Sequence, residues 1–227
     1  MARSPLAVEI TNTFLRNANA DYAPKMAAYM KHKFAFHGIA SPLRRELVRE
    51  CLASCPLQTR GQLLDSIGDL YSGNYREQHY AALDLLWAKR KLLTAEDINL
   101  MEELITTHSW WDSVDALAKS VGGHYRIHTS HDLPHIESWM NACNLWLNRV
   151  AIIFQLGFGK ATDTALLTRA IERHAASGEF FHQKAIGWAL RQYSYTNPQF
   201  VLDFLDSHTL KPLSVREALK AIKRRDA

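Results

Sequence analysis

Cysteine is scarce in this 227-residue chain: Cys51, Cys55 and Cys143 are the whole complement, and three cannot all pair. The opening MARSPLAVEITNTF lacks the continuous apolar core of a secretory leader, so a reducing cytoplasm is the expected compartment. No apolar run approaches the ~20 residues that a bilayer-spanning helix needs, which points to a soluble protein. Glycine and proline are few, ten and seven in all. With no Ser/Gly linker, low-complexity tract or charge block to divide it, the chain reads as a single domain over 1–227. Neither a Walker loop nor a dinucleotide fingerprint is present, so no nucleotide cofactor is expected.

What the chain does have is apolar content, 47% of its residues, enough to bury a large core. Apolar residues recur at helical spacing, as in Leu63, Leu64, Ile67 and Leu70, while sustained period-two alternation is hard to find. The expected fold is all α. Helix starts carry matching punctuation: Ser41 with Pro42, Thr94 with Asp97, and Asn197 with Pro198.

Aligning these helices places Glu46, Ala81, Ala116, Ala151, Ile186 and Ala218 in register, a recurrence of about 35 residues that predicts a stack of helical pairs of the HEAT kind. Two residues before each stand Arg44, His79, Val114, Arg149, Lys184 and Arg216. A solenoid would line these up as one basic edge, which suits a chain of net charge +4. Lys and Arg also mark the solvated faces of ordinary helices, and a helical bundle satisfies the same hydrophobic pattern.

Two segments concentrate chemistry. In Ser109-Trp110-Trp111-Asp112-Ser113-Val114-Asp115, Trp111 and Asp115 are four apart and share a helix face, whereas Trp110 falls with Val114 on a neighbouring face suited to the core. Asp112, early in the helix, is placed to meet unsatisfied backbone N–H groups. In the second segment Lys184, Trp188 and Arg191 stand at i, i+4 and i+7, two cations flanking one indole. Cations hold phosphates and an aromatic face packs on sugar or base, so the stripe suits a nucleic acid.

His124, His128, His131 and His135 include pairs at the spacing of helical zinc sites. No carboxylate completes a recognised motif there, and Gly122 and Gly123 are expected to interrupt the helix. The segment therefore reads as a polar connection between repeats, and no metal is expected. Cys51 and Cys55 read as small buried hydrophobes.

The segments AAYMKHKFAFHGIASPLRR at 27 to 45, SWWDSVDALA at 109 to 118, NLWLNRVAIIFQL at 144 to 156 and EFFHQKAIGWALRQYSYTNP at 179 to 198 resemble the AlkD family of alkylpurine DNA glycosylases. The likeness covers nearly the whole chain, with the motifs in the family's order. It implies a crescent of HEAT-like helical pairs, a basic concave face that holds duplex DNA, and an active site of Trp111, Asp115 and Trp188. It further implies Tyr29 near that site, Arg149 and Arg191 on the DNA backbone around the lesion, and Phe180 and Phe181 as matching residues. Arg44, Arg45 and Lys184 join the expected DNA-binding set. The family is known for acting without extruding the damaged nucleotide into a deep pocket. The implied protein is a monomer, needing no metal or cofactor, whose partner is double-stranded DNA with alkylated purines and which sits at the nucleoid when bound.

The residue types suit that reaction. A purine alkylated at N3 or N7 is already cationic and leaves without a general acid, so the remaining difficulty is positive charge developing on the deoxyribose. Asp115 must be ionised to meet it, yet indole neighbours raise its pKa, so Arg149 or Arg191 is needed in opposition. Two other readings compete. A noncatalytic DNA-structure binder would keep the arginines without needing the Trp and Asp set, and a protein-interaction scaffold would show an apolar or acidic groove.

Overall fold

The structure is a computed structural model and describes residues 3–224. Among the described residues there are α-helices and short 3-10 turns but no β-strand, so the chain has an all-α helical repeat fold. None of these helices is long and apolar enough to cross a membrane. The residues gather into two compact units, Met1–Thr94 and Ala95–Ala227.

The first unit holds α1 (Pro5–Arg16), α2 (Ala23–Tyr29), α3 (Ser41–Ser54), α4 (Arg60–Tyr71) and α5 (Arg76–Ala88). Here α1 packs on α3, α4 on α5, and α3 on α5, giving two helical pairs around Ile10, Phe14, Leu63, Ile67 and Leu85. The chain enters α4 through a capping box, in which Thr59 Oγ1 accepts from the Gln62 N–H and Gln62 Oε1 accepts from the Thr59 N–H. Cys51 is buried as expected, while Cys55 closes α3 half-buried. At the loop before α3, the buried Glu77 carboxylate accepts the backbone N–H groups of His37, Gly38 and Ile39 at 2.9–3.1 Å. A buried charge is tolerated only when so completely bonded.

The second unit holds α6 (Ile98–Thr106), α7 (Trp111–Asn141), α8 (Leu145–Ile153), α9 (Thr164–His174), α10 (Phe180–Ser194), α11 (Pro198–Ser207), α12 (Pro212–Ala218) and α13 (Lys220–Lys223). In it α7, α8, α10 and α12 pack in succession. Side-chain caps open α8 at Asn144, α9 at Asp163 and α11 at Asn197, the last followed by Pro198 as the sequence predicts. The Thr94 and Asp97 signal opens a 3-10 turn, Ala95–Asp97, before α6. Across the chain α3, α5, α7, α8, α10 and α12 begin at intervals of about 35 residues, the period read from the sequence.

One expectation is corrected. Gly122 and Gly123 do not interrupt a helix: both lie inside α7, and the break comes later, at His128, where non-helical backbone joins two helical stretches and the histidines flank the junction between repeats. Gly costs a helix roughly 1 kcal/mol relative to Ala, but at Gly122 a Cβ would collide with the carbonyl of Phe154, the residue that caps α8, so the missing side chain permits close packing. The kink lies before Pro134, which has no N–H for the Ser130 carbonyl. Beyond it, the rest of α7 serves as the first helix of the next pair. His124 is buried with Nδ1 2.7 Å from Asp132 Oδ2, and no group of three or more His, Cys, Asp or Glu among the described residues is arranged to hold a metal ion.

Two joints in this unit are specific enough to test. At Gly187 in α10 a Cβ would collide with Glu217 Cβ and stand 2.8 Å from the Ser214 carbonyl, so α12 lies against a position that tolerates no side chain. Gly187→Ala should destabilise the protein by about 2 kcal/mol, whereas Gly68→Ala, with open space in the α4 interior, should stabilise it by about 0.5–1 kcal/mol. Urea denaturation of both variants reads the difference.

The second joint is His182, buried between Asn148 Oδ1 at 3.2 Å and Ser177 Oγ at 2.9 Å, with its ring against His174. Burial first, then the charges of His174 and Arg149, depress its pKa to about 4. The folded pKa lies below the unfolded value, so the unfolded state binds the proton first as pH falls. The stability linked to His182 is complete above pH ~6.5 and lost between there and about pH 4, a difference of up to roughly 3 kcal/mol. Urea midpoints across that range should flatten in His182→Asn relative to the unaltered chain.

Candidate active site

The site begins at the N-termini of α7, α8 and α10. Trp110, the residue before α7, packs edge-on against Trp146 of α8 at 5.7 Å and Phe181 of α10 at 5.2 Å, with Trp146 and Phe181 4.9 Å apart. Three rings from three helices fix those ends relative to one another. Trp110 therefore has the packing role expected of it. Phe181 belongs to this cluster too, while Phe180 beside it is exposed.

That frame sets Asp115, one turn beyond Trp111, against Arg149 of α8. Arg149 donates from Nε to Asp115 Oδ1 at 2.8 Å and from Nη2 to Oδ2 at 3.0 Å, a bidentate pair. Its Nη1 donates to the Phe181 carbonyl at 3.0 Å. The Arg149 side chain is only 5% exposed, while that of Asp115 keeps 20%. The carboxylate is held by a buried guanidinium through both oxygens and keeps a partial exposure of its own. Trp111 and Trp188 are both half-buried, on α7 and α10.

Burial pushes the Asp115 carboxyl above its ordinary pKa, and Asp112 adds a smaller push upward. The hydrogen bonds and charge of Arg149 act in the opposite direction. Of the two arginines expected to supply this opposition, Arg149 is the one that does. Arg191 is engaged elsewhere.

On α10, Lys184 Nζ lies 2.9 Å from Glu217 Oε1 and Arg191 Nη1 lies 2.8 Å from Glu217 Oε2, both bonds reaching to α12. Lys220 Nζ joins at 2.6 Å from Oε1. Sequence reasoning missed Glu217. Its signals were an i,i+3 spacing to Lys220 and a place beside Arg216 in the repeat register.

The expected basic edge is also corrected. Arg44, His79, Val114 and Arg149 are buried against neighbouring helices, whereas Lys184 is half-buried and Arg216 exposed, so the six positions do not form one continuous basic edge. Arg44 donates from Nε and Nη2 to Asp84 of α5 at 3.2 and 3.0 Å, just as Arg149 is turned to Asp115. Both guanidiniums are turned to carboxylates of neighbouring helices. Arg45, one residue on, is exposed, as is Tyr29 at the end of α2.

With this geometry in hand, similarity to other proteins becomes informative. Residues 10–222 match the family described as DNA alkylation repair enzyme. A solved structure described as a predicted DNA alkylation repair enzyme from Enterococcus faecalis is similar at 38% identity and a TM-score of 0.84, over 89% of this chain and 95% of that one. No curated protein matches. Both the extent of the family match and the identity of this structural relative support one assignment: the chain belongs to the DNA alkylation repair enzyme family.

Proposed function

We propose that the protein is an AlkD-type DNA glycosylase that hydrolyses the N-glycosidic bond of cationic N3- or N7-alkylated purines in duplex DNA. The observation that carries this reading is the partly exposed Asp115 carboxylate, held bidentately by a buried Arg149 and sharing a helix face with Trp111. A carboxylate fixed in this way faces outward as a preorganised negative charge.

In the proposed reaction the C1'–N bond breaks and its electron pair neutralises the alkylated base, which departs without protonation. Positive charge gathers on the deoxyribose. Asp115 stabilises it and orients a water that adds to C1', the water's proton passing to solvent. Trp111 and Trp188 pack on the sugar and the cationic base, where an indole face is attractive to positive charge. Arg149 acts through Asp115 and is a positioning residue.

DNA contacts fall to the accessible members of the expected set: Tyr29, Arg45, Phe180, Lys184 and Arg191. The protein would act as a monomer in the cytoplasm, at the nucleoid when bound.

A second reading has one observation in its favour. The Arg44–Asp84 pair, whose guanidinium stacks on Tyr80, shows that this fold also uses such a bridge away from Trp111 and Trp188, so the Arg149–Asp115 pair could serve a noncatalytic DNA binder. Asp115→Asn separates the two. It should bind duplex DNA with unchanged affinity but lower single-turnover release of 7-methylguanine by at least about 10²-fold. Release at the unaltered rate would remove Asp115 from the mechanism.

The pH dependence follows from the same pair. Only ionised Asp115 is active, and its pKa is raised, so excision should fall on the acid side at higher pH than an ordinary carboxylate would give. Arg149→Gln removes the opposing charge and should move that limb to still higher pH. A pH–rate profile with an unmoved limb would show that Arg149 does not support the carboxylate.

A further inference from the structure

Glu217 is a buried acid with three cationic partners, and nothing in the proposed chemistry uses it. Its side chain is 5% exposed, on α12 where that helix lies against Gly187. Oε1 receives Lys184 at 2.9 Å and Lys220 at 2.6 Å, while Oε2 receives Arg191 at 2.8 Å. We infer that Glu217 is a positioning residue that gathers Lys184, Arg191 and Lys220 into one clamp for the phosphodiester groups of duplex DNA, beside Trp188. This rests on the proposed DNA-binding role of α10.

Charge stoichiometry distinguishes this cluster from the other bridges in the fold. Arg44–Asp84 and Arg149–Asp115 are one cation to one carboxylate, and their guanidinium side chains are 7% and 5% exposed. Around Glu217 three cations meet one carboxylate, leaving two positive charges in excess. Their side chains keep between 28% and 45% exposure, so the excess charge is offered to solvent. An anion that already satisfied the cluster would leave no such surplus.

The carboxylate also answers a problem that three cations pose alone. Unscreened, they would repel one another and splay, and each Lys or Arg would lose rotamer entropy on being fixed by a ligand. Glu217 fixes them beforehand. It remains ionised throughout the working range, its carboxyl held down at about 2 by the Lys220 and Lys184 bonds and charges against the opposing effect of burial. Lys184 and Arg191 thereby stand on one face of α10, a turn to either side of Trp188. A phosphate bound there would lie next to the indole proposed to meet the sugar and base.

The test uses the full chain with an undamaged duplex oligonucleotide as probe, titrated over a salt series, beside single-turnover excision from a 7-methylguanine duplex. Glu217→Gln puts an amide donor where the cations need an acceptor. It should weaken duplex affinity roughly tenfold and lower the slope of log affinity against log salt by about one to two phosphate contacts. Lys220→Gln, which leaves Glu217 its other two partners, should lower that slope by about one and guards against a misfolded first variant.

The acid limb of the pH–rate profile, set by Asp115, should not move in either. Tighter binding by Glu217→Gln would mean that Glu217 competes with phosphate, and overturns the inference. A lower melting temperature with an unchanged salt slope in both variants would assign Glu217 to the fold alone, and also overturns it. Failure of the unaltered chain to bind duplex would sink both this inference and the functional reading. Binding without base release would sink only the latter.

Discussion

The site depends on a carboxylate kept anionic in a place that disfavours anions. Asp115 loses much of its water to burial, and desolvation alone would favour its protonated form. Arg149 offsets this from the buried side with two charge-assisted bonds, leaving the opposite edge available. Arg149 is itself fixed by the Phe181 carbonyl and by the aromatic cluster of Trp110, Trp146 and Phe181. Packing of three helix ends thus reaches the proposed catalytic carboxylate through one guanidinium.

This arrangement is a variation on how the repeats hold together. Arg44 with Asp84, Arg149 with Asp115, and Lys184 with Glu217 each join the second helices of neighbouring pairs, and each cation occupies the same place on its helix. The bridges differ in what surrounds them. The first has one cation and one acid on a helix pair with structural neighbours, the second adds Trp111 on the same face as its acid, and the third draws in Arg191 and Lys220. Helical repetition supplies the ionic contact, and local residues decide whether it only fastens helices or also presents charge. A buried ion pair adds little net stability to replace hydrophobic packing, which is consistent with its value lying in specificity and placement.

The period of about 35 residues and the all-α fold were legible because helix starts and apolar spacing are local properties that repeat. The basic edge was misread for a reason of the same kind. A register shows that Arg44, Arg149 and Lys184 share an environment, but not whether that environment is water or a neighbouring helix. The acids that settle it stand far along the chain, at Asp84, Asp115 and Glu217. The glycine pair in α7 was misread because its benefit, an approach by the Phe154 carbonyl, is tertiary. Trp111 with Asp115, and Lys184 with Trp188 and Arg191, were readable from helical spacing. The choice of Arg149 over Arg191 as the partner of Asp115 was not.

The ionisation state of Asp115 in the folded protein bears most directly on this account. Carboxyl-carbon NMR of the full chain, with Asp115 assigned by comparison with Asp115→Asn, would follow its titration in the absence of DNA. The account predicts a midpoint above the usual aspartate range but a fully ionised carboxylate at neutral pH. A resonance showing Asp115 protonated at pH 7 would contradict it, because the proposed reaction needs an anion there to meet positive charge on the sugar.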